Sequence, residues 1–123
     1  MTWIAVAVGG ALGAAARHGL NHLIHQRNVT GAFPAGIFAI NVLGSFAIGL
    51  LAGLLASNRI QLSEVQRTFL IVGVLGGFTT FFLFSLDTLT LLRSGEVSLA
   101  GANVVGQVVL SLIGVWLGFR LAH

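Results

Sequence analysis

Two apolar stretches of the chain contain aligned amide and hydroxyl side chains. Asn41 and Ser45 are four residues apart, and Asn103, Gln107 and Ser111 follow one another at the same spacing. Residues four apart share one face of a helix, so the second group forms a stripe that rises about 12 Å. Hydrogen bonding between helices is the most frequent role of such groups in lipid. Because these donors are uncharged and have no acidic partner, the stripe suits a small anion better than a cation, with Asn41 as the leading candidate.

The run from Gly73 to Ser85 contains two adjacent glycines and two adjacent threonines at mid-membrane depth. Adjacent glycines disfavour a continuous helix, so an interruption is predicted at Gly76-Gly77. Backbone groups freed by a break must be buried in protein or line a polar cavity. Freed carbonyls attract cations there, and freed amides attract anions. The alternative is a glycine kink in which both threonines bond back to their own helix.

Four phenylalanines follow or flank this predicted break. Phe81 and Phe84 are three residues apart and lie roughly on one helical face. An aromatic ring has a positive edge, so two rings turned edge-on can contact an anion without the strong binding of a fixed positive charge. Phe78 and Phe82 are interpreted as packing residues.

The composition is that of a membrane protein. Of the 123 residues, 56% are hydrophobic and only 7% are charged, whereas about a quarter of the residues of a soluble domain are charged. The six basic residues are all arginines, scattered singly at the ends of apolar segments. That pattern favours interfacial anchoring over nucleic-acid binding. The absence of cysteine excludes disulfides and thiolate chemistry.

Four candidate spans follow from the requirement of about 20 apolar residues for each bilayer crossing. They run from Trp3 to Leu20, from Ala35 to Ala56, from Phe69 to Leu92 and from Val97 to Phe119. The predicted fold is therefore an all-α membrane protein, a single four-helix domain over residues 1–123 with its third helix broken. Ser63 to Gln66 forms a capping-box pattern before the third span. Glycine pairs four apart, such as Gly49 with Gly53, predict tight helix packing, including packing against a second copy.

The arginines are balanced between the two sides of the membrane that these spans define. Arg59, Arg67 and Arg120 fall on the side of the N-terminus, and Arg17, Arg27 and Arg93 fall on the opposite side. Orientation normally follows an excess of basic residues in cytoplasmic loops, and here no excess exists. The balance indicates that the chain can insert in both orientations and form antiparallel pairs.

The sequence resembles the Fluc (CrcB) family of fluoride channels over essentially its full length. Four motifs carry the resemblance: Gly9-Gly10-Ala11-Leu12-Gly13 with Arg17; Ala39 to Phe46 around Asn41; Gly76-Gly77-Phe78-Thr79-Thr80-Phe81 with Phe84 and Ser85; and Ser111 with Gln107. The third motif is the most specific of the four.

The resemblance implies an antiparallel, dual-topology homodimer in the plasma or inner membrane, with two fluoride pores along the subunit interface. Its function would be passive export of fluoride that relieves fluoride toxicity. The implied pore residues are Asn41, Phe81, Phe84, Ser85, Gln107 and Ser111. Main-chain oxygens of Gly76 and Thr79 from both subunits would hold a structural sodium ion. Arg17 would lie near a pore entrance or brace the dimer.

The sequence departs from the family pattern just after the break. Phe82 and Leu83 stand where the family usually has serine and threonine, and Ile37 stands where some members have threonine. These changes thin the hydroxyl track of the pore. Some members of the family work as pairs of diverged subunits, so a heterodimer remains an alternative to the homodimer.

Other functions fit the sequence less well. A small multidrug or guanidinium exporter requires a membrane-embedded carboxylate, and Asp87 is the only acid inside a span. An accessory subunit without conduction of its own is a second alternative. An enzyme is least favoured. His18, His22 and His25 have metal-ligand spacing but no acid nearby, and they are interpreted as interfacial residues.

Overall fold

A computed structural model describes residues 1–26 and 33–123 of the chain. Arg27 lies outside the described residues, as does the side chain of His25. The described part is helical, with no strand. Its helices are α1 (Thr2–Gln26), α2 (Ala35–Ala56), α3 (Glu64–Arg67), a π-helical segment (Thr68–Leu75), α4 (Gly76–Phe78), α5 (Phe81–Arg93) and α6 (Val97–Ala122).

Three of the described helices are long and apolar enough to cross a membrane: Ala35–Ala56, Glu64–Arg93 and Val97–Ala122. The first has the bounds predicted for the second span, and the other two extend their predicted spans by a few residues. Helix α1 is also long, at 25 residues, but it is not among the three. Its second half contains Arg17 and His18, which lower its hydropathy.

The apolar helix Glu64–Arg93 begins at the predicted capping box. The Ser63 hydroxyl accepts a hydrogen bond from the Gln66 backbone N–H, and the Gln66 side chain accepts one from the Ser63 N–H. These two bonds satisfy donors that a helix start leaves without intrahelical partners. The eight residues that follow are π-helical.

The helix break lies three residues beyond the predicted position. Gly76 and Gly77 are helical, and the chain becomes extended only at Thr79 (φ −85°, ψ 156°) and Thr80 (φ −153°, ψ 121°). The prediction of an interruption at Gly76-Gly77 was therefore wrong in its position. Gly77 serves packing instead, because a Cβ there would lie 2.7 Å from the carbonyl oxygen of Gly10 in α1.

The four long segments pack as two parallel pairs. In α2 and α6, Phe38 lies against Gly106 and the Val42 carbonyl lies near Gly114, so residue numbers rise together along the contact. In the other pair, α1 lies against the π-helical segment and α4. A Cβ at Gly13 would lie 2.8 Å from the backbone nitrogen of Phe78. Parallel pairing of first with third and second with fourth is the arrangement of a chain that reverses direction at every connection.

The interior of the single chain is small, and much of its apolar surface is exposed. Ile37, Ile40 and Phe84 form the buried cluster, with Phe78 packed against it. Large apolar side chains on the outer faces of α1, α5 and α6 are exposed and have no cover from the residues that the structure describes. In water such a surface would be unfavourable, whereas lipid or a second copy covers it without cost.

Candidate functional site

A cleft of about 400 Å³ lies beside the helix break, between α2, α5 and α6. Its lining includes the amides of Asn41 and Gln107, the hydroxyls of Ser45 and Ser111, both threonines of the break, Phe81 and Phe84. None of the residues described as lining it is ionisable. The cleft therefore offers neutral hydrogen-bond donors and acceptors within apolar walls.

The predicted leading residue, Asn41, holds the backbone at the break. Its Nδ2–H donates to the carbonyl oxygen of Thr80 at 3.0 Å, and its Oδ1 accepts from the backbone N–H of Thr80 at 2.9 Å. The second Nδ2–H donates to Oε1 of Gln107 at 2.7 Å. One side chain of α2 thus satisfies two backbone groups that the break would leave unpaired in lipid.

The break redirects the hydrogen bonds of the backbone around it. The Thr80 N–H, which a continuous helix would give to the Gly76 carbonyl, goes to Asn41. The Leu83 N–H, which would go to the Thr79 carbonyl, goes to the Thr80 hydroxyl at 3.2 Å and caps α5. The carbonyl oxygens of Gly76 and Thr79 therefore lose their helical donors. They are the two oxygens that the resemblance to the fluoride channels assigns to a sodium ion.

Arg17 is bound to the same break from the other side. Its Nη1 donates to the carbonyl oxygen of Gly77 at 2.9 Å. The bond places a positive charge at the C-terminal end of α4, where backbone carbonyls concentrate partial negative charge. Arg17 thus braces the break within its own chain.

Phe81 and Phe84 contact each other, with ring centroids 5.3 Å apart and ring planes tilted by 60°. Phe84 is 9% exposed, whereas Phe81 is 77% exposed and stands at the open side of the cleft. Phe82 is 75% exposed, so its predicted packing role has no partner among the described residues. Ser85 is exposed, does not line the cleft, and donates from its hydroxyl to the Phe81 carbonyl at 3.0 Å.

The stripe on α6 separates into an inner and an outer part. Asn103 is fully buried, and its Oδ1 accepts from Nε2 of Gln107 at 2.8 Å. Gln107 and Ser111 reach the cleft, and Ser111 makes no side-chain hydrogen bond within the described chain. The predicted common face is correct, but only its second half lines the site.

Two residues that complete this arrangement were not singled out by the sequence. The sequence distinguishes Thr80 only as one of two adjacent threonines, although Asn41 bonds to its backbone N–H and carbonyl. Thr88, whose hydroxyl accepts from Asn103 at 3.0 Å, is not part of any sequence pattern described above.

Within residues 1–26 and 33–123, no group of three His, Cys, Asp or Glu could hold a metal ion. Asp87 is not part of the cleft lining.

Helices of this length and polarity, arranged around an uncharged cleft, define a multi-pass helical membrane protein. Residues 4–119 match the family described as CrcB-like protein, Camphor Resistance (CrcB). The chain belongs to the CrcB family.

Its relatives include proteins named "Fluoride-specific ion channel FluC" in several bacteria. The one from Opitutus terrae is 49% identical over 117 residues, which cover 94% of this chain and 88% of the relative. The one from Paracoccus denitrificans is 48% identical over 122 residues, 99% of this chain and 94% of the relative. The one from Methylobacillus flagellatus is 46% identical over 116 residues, 94% and 90% of the two chains.

Proposed function

We propose that the chain is the subunit of a fluoride-selective channel that passively exports fluoride across the cell membrane. The observation that carries this proposal is the cleft at the helix break, whose lining has amide and hydroxyl groups but no ionisable side chain. The names of its relatives point to the same ion. A channel makes and breaks no covalent bonds, so the chain is not an enzyme.

The chemistry of the cleft suits a small, strongly hydrated anion. Such an ion leaves water only where hydrogen-bond donors replace its hydration shell. Asn41, Gln107 and Ser111 line the same cleft as Phe81 and Phe84. The positive edges of the two rings would face the ion. Ser85 lies one turn beyond Phe81 and would meet the ion outside the cleft. Selectivity over the larger chloride would follow from donor number and pore width.

We infer that the complete pore needs a second copy of the chain in the opposite orientation. The cleft is open on one side, and Phe81 projects from it with most of its surface uncovered. The chain itself would cross the membrane four times. Helix α1 is about 37 Å long at 1.5 Å per residue, enough for a crossing. Its charged Arg17 already has a carbonyl partner in the neighbouring segment.

A structural sodium ion fits the carbonyl groups of the break. Gly76 and Thr79 have carbonyl oxygens without their helical donors, and neutral main-chain oxygens are suitable ligands for a hard monovalent cation in membrane proteins. Two oxygens from each of two copies would form the site. A sodium ion there would neutralise part of the negative potential of four carbonyls and join the two broken helices.

The biological role follows from the acid chemistry of fluoride. Undissociated HF crosses membranes from acidic surroundings and dissociates in the more alkaline cytoplasm, which traps the anion. A passive pore then lets the membrane potential, negative inside, drive fluoride out. No coupled ion is needed, which agrees with a cleft whose described lining residues include no carboxylate.

Fluoride efflux from liposomes that contain only this protein tests the proposal. We expect rapid fluoride loss under an outward gradient and retention of chloride in matched vesicles. Fluoride retention combined with proton-coupled export of a guanidinium cation would instead show an exporter. Retention of all three ions would favour a diverged partner subunit, for which the exposed Phe82 offers an unoccupied surface.

A further inference from the structure

A continuous line of hydrogen bonds connects the helix break to a point two turns further along α5. It passes through three helices and returns to its starting element. Its members are the Thr80 backbone, Asn41, Gln107, Asn103, the Thr88 hydroxyl and the Phe84 carbonyl. The five successive links after the Thr80 N–H measure 2.7–3.0 Å.

The direction of every bond in this line is set by backbone groups at its two ends. The Thr80 N–H can only donate and its carbonyl can only accept, so the pair of bonds between Asn41 and Thr80 forms in one amide orientation alone. The remaining N–H of Asn41 then points to Gln107, which must accept the hydrogen bond with Oε1. The orientation chosen at the break is thereby passed to the side chains of α6.

The far end of the line imposes the same direction independently. Thr88 donates its only hydroxyl hydrogen to the Phe84 carbonyl at 2.9 Å. Its oxygen can therefore only accept from Asn103, at 3.0 Å. Asn103 must then accept from Gln107 with Oδ1. This requires the same Gln107 amide orientation as the bonds at the break do. The two ends require the same amide orientations, so the line has one stable polarity, meaning one donor-to-acceptor direction along its hydrogen bonds.

We propose that Asn103 and Thr88 are positioning residues that fix this polarity and so hold the Asn41 amide on the backbone of Thr80. Neither residue lines the cleft, and Asn103 is 0% exposed. The consequence for fluoride rests on the function proposed above. Both N–H groups of Asn41 already have acceptors, so an anion obtains a donor from Asn41 only by displacing Thr80 or Gln107.

The hydroxyls of Ser45 and Ser111 offer cleft hydrogens that need no such displacement, since neither makes a side-chain hydrogen bond within the described chain. Loss of polarity in the line would free Gln107 to turn its N–H toward Asn41. Asn41 would then leave Thr80, and the geometry of the break would change without any change in the lining residues themselves.

Thr88→Val and Thr88→Ser form the central pair of the test. Valine has the shape of threonine without the hydroxyl, and serine retains the hydroxyl. Thr90→Val is the matched control, because the Thr90 hydroxyl bonds only to the Leu86 carbonyl of its own exposed helix face. Asn103→Leu breaks the line at its buried centre and serves as a second, independent variant.

Two readouts apply to the whole protein in lipid nanodiscs. Nitrogen-15 NMR follows the side-chain amide of Asn41, and hydrogen exchange follows the backbone amide of Thr80. In the unmutated protein the side-chain amide of Asn41 should exchange far more slowly than that of the exposed Asn58. This comparison tests, without any mutation, whether both N–H groups of Asn41 are hydrogen-bonded. In Thr88→Val and Asn103→Leu we expect Thr80 to exchange about tenfold faster and the Asn41 resonances to shift. Thr88→Ser and Thr90→Val should match the unmutated protein.

Fluoride flux in liposomes is the functional readout, with a several-fold loss expected in Thr88→Val and Asn103→Leu alone. Unchanged Thr80 exchange and unchanged Asn41 resonances in both variants would overturn the proposal. So would rapid exchange of the Asn41 amide in the unmutated protein. If the unmutated protein carries no fluoride, the proposed function fails, while the two spectroscopic readouts still decide whether the line positions Asn41.

Discussion

At Asn41, one primary amide supplies what two different helices lack. Its carbonyl and one N–H pair with Thr80, and its other N–H pairs with Gln107. An unpaired buried backbone group costs about 1–3 kcal/mol, so the two bonds to Thr80 contribute substantially to the stability of the break. No other residue type of this size offers a donor and an acceptor side by side.

Replacing Asn41 with aspartate should therefore abolish fluoride flux and destabilise the protein. Aspartate has no N–H for the Thr80 carbonyl, and its second oxygen would face Oε1 of Gln107. A like charge about 4 Å from an anion also costs about 4 kcal/mol at an effective dielectric constant of about 20. Liposome efflux measures the loss. Asn58→Asp, the same substitution at an exposed turn, is the control and should conduct normally. Undiminished flux in Asn41→Asp would remove Asn41 from the mechanism.

The sequence identified most of the residues around the cleft but not how they are connected. Asn41 and Gln107 were recognisable because amides are rare in apolar spans. Thr80 was not, because its contribution is made by its backbone, and its partner is 39 positions away in the chain. Ser85 lies four residues after Phe81, the spacing of a shared helical face, yet its hydroxyl donates to a carbonyl of its own helix. Spacing predicts a shared face, whereas the choice of partner depends on tertiary structure.

At the scale of elements, glycine decides where helices touch. The pair Gly10 and Gly13 provides a direct comparison. A Cβ at Gly13 would meet the Val74 carbonyl and the Phe78 nitrogen, whereas a Cβ at Gly10 would meet no atom within 4 Å. Backbone atoms cannot move aside as a flexible side chain can, so α1 would have to separate from the π-helical segment and α4.

Gly13→Ala should lower stability by about 1–3 kcal/mol, the usual cost of overpacking. Gly10→Ala should leave it unchanged or raise it slightly, since alanine favours a helix more than glycine does. Thermal unfolding of the two purified variants in the same detergent measures the difference. Equal melting temperatures for the two variants would contradict the close approach of α1 to the π-helical segment and α4.

The position of the helix break shows what local sequence leaves undetermined. Helix propensity pointed to Gly76-Gly77, but packing against α1 stabilises the helix there. The break falls at Thr79 and Thr80, where a side chain of α2 and the Thr80 hydroxyl take over the backbone bonds. The ends of α2 and the capping box at Ser63 were predicted correctly, because both depend on neighbouring residues alone.

Removal of sodium should weaken the protein through this break. If the carbonyls of Gly76 and Thr79 bind sodium in the folded state alone, a hundredfold excess over Kd adds about 2.7 kcal/mol of stability. Dialysis into N-methylglucamine buffer should therefore lower the melting temperature, and added sodium should restore it in a saturable manner. Potassium at the same ionic strength is the control. An identical melting temperature in all three buffers would exclude a structural sodium ion.

At the scale of the whole molecule, the parallel pairing of helices and the balance of arginines have a common consequence. In the proposed arrangement of four crossings, the connector of residues 57–63 and the C-terminus lie on one side and the turn of residues 94–96 lies on the other. That arrangement puts three arginines on each side, so we expect insertion to have no preferred direction. Equal numbers of upright and inverted chains are what an antiparallel homodimer requires.

Adding basic residues to one side of the chain should give variants that insert in a single orientation, and variants of opposite orientation should complement each other. Gln61→Lys with His123→Lys adds two positive charges on the connector side, and Ser94→Lys with Glu96→Lys adds two on the turn side and removes one acidic residue. Each double variant expressed alone should insert in a single orientation and give little fluoride export, because no inverted partner exists. Expressed together they should restore resistance of cells to fluoride.

A C-terminal tag labelled from each side of intact membranes reports orientation, and the unmodified protein should be labelled from both. Full resistance from either single-orientation variant, or labelling of the unmodified protein from one side only, would contradict the antiparallel dimer.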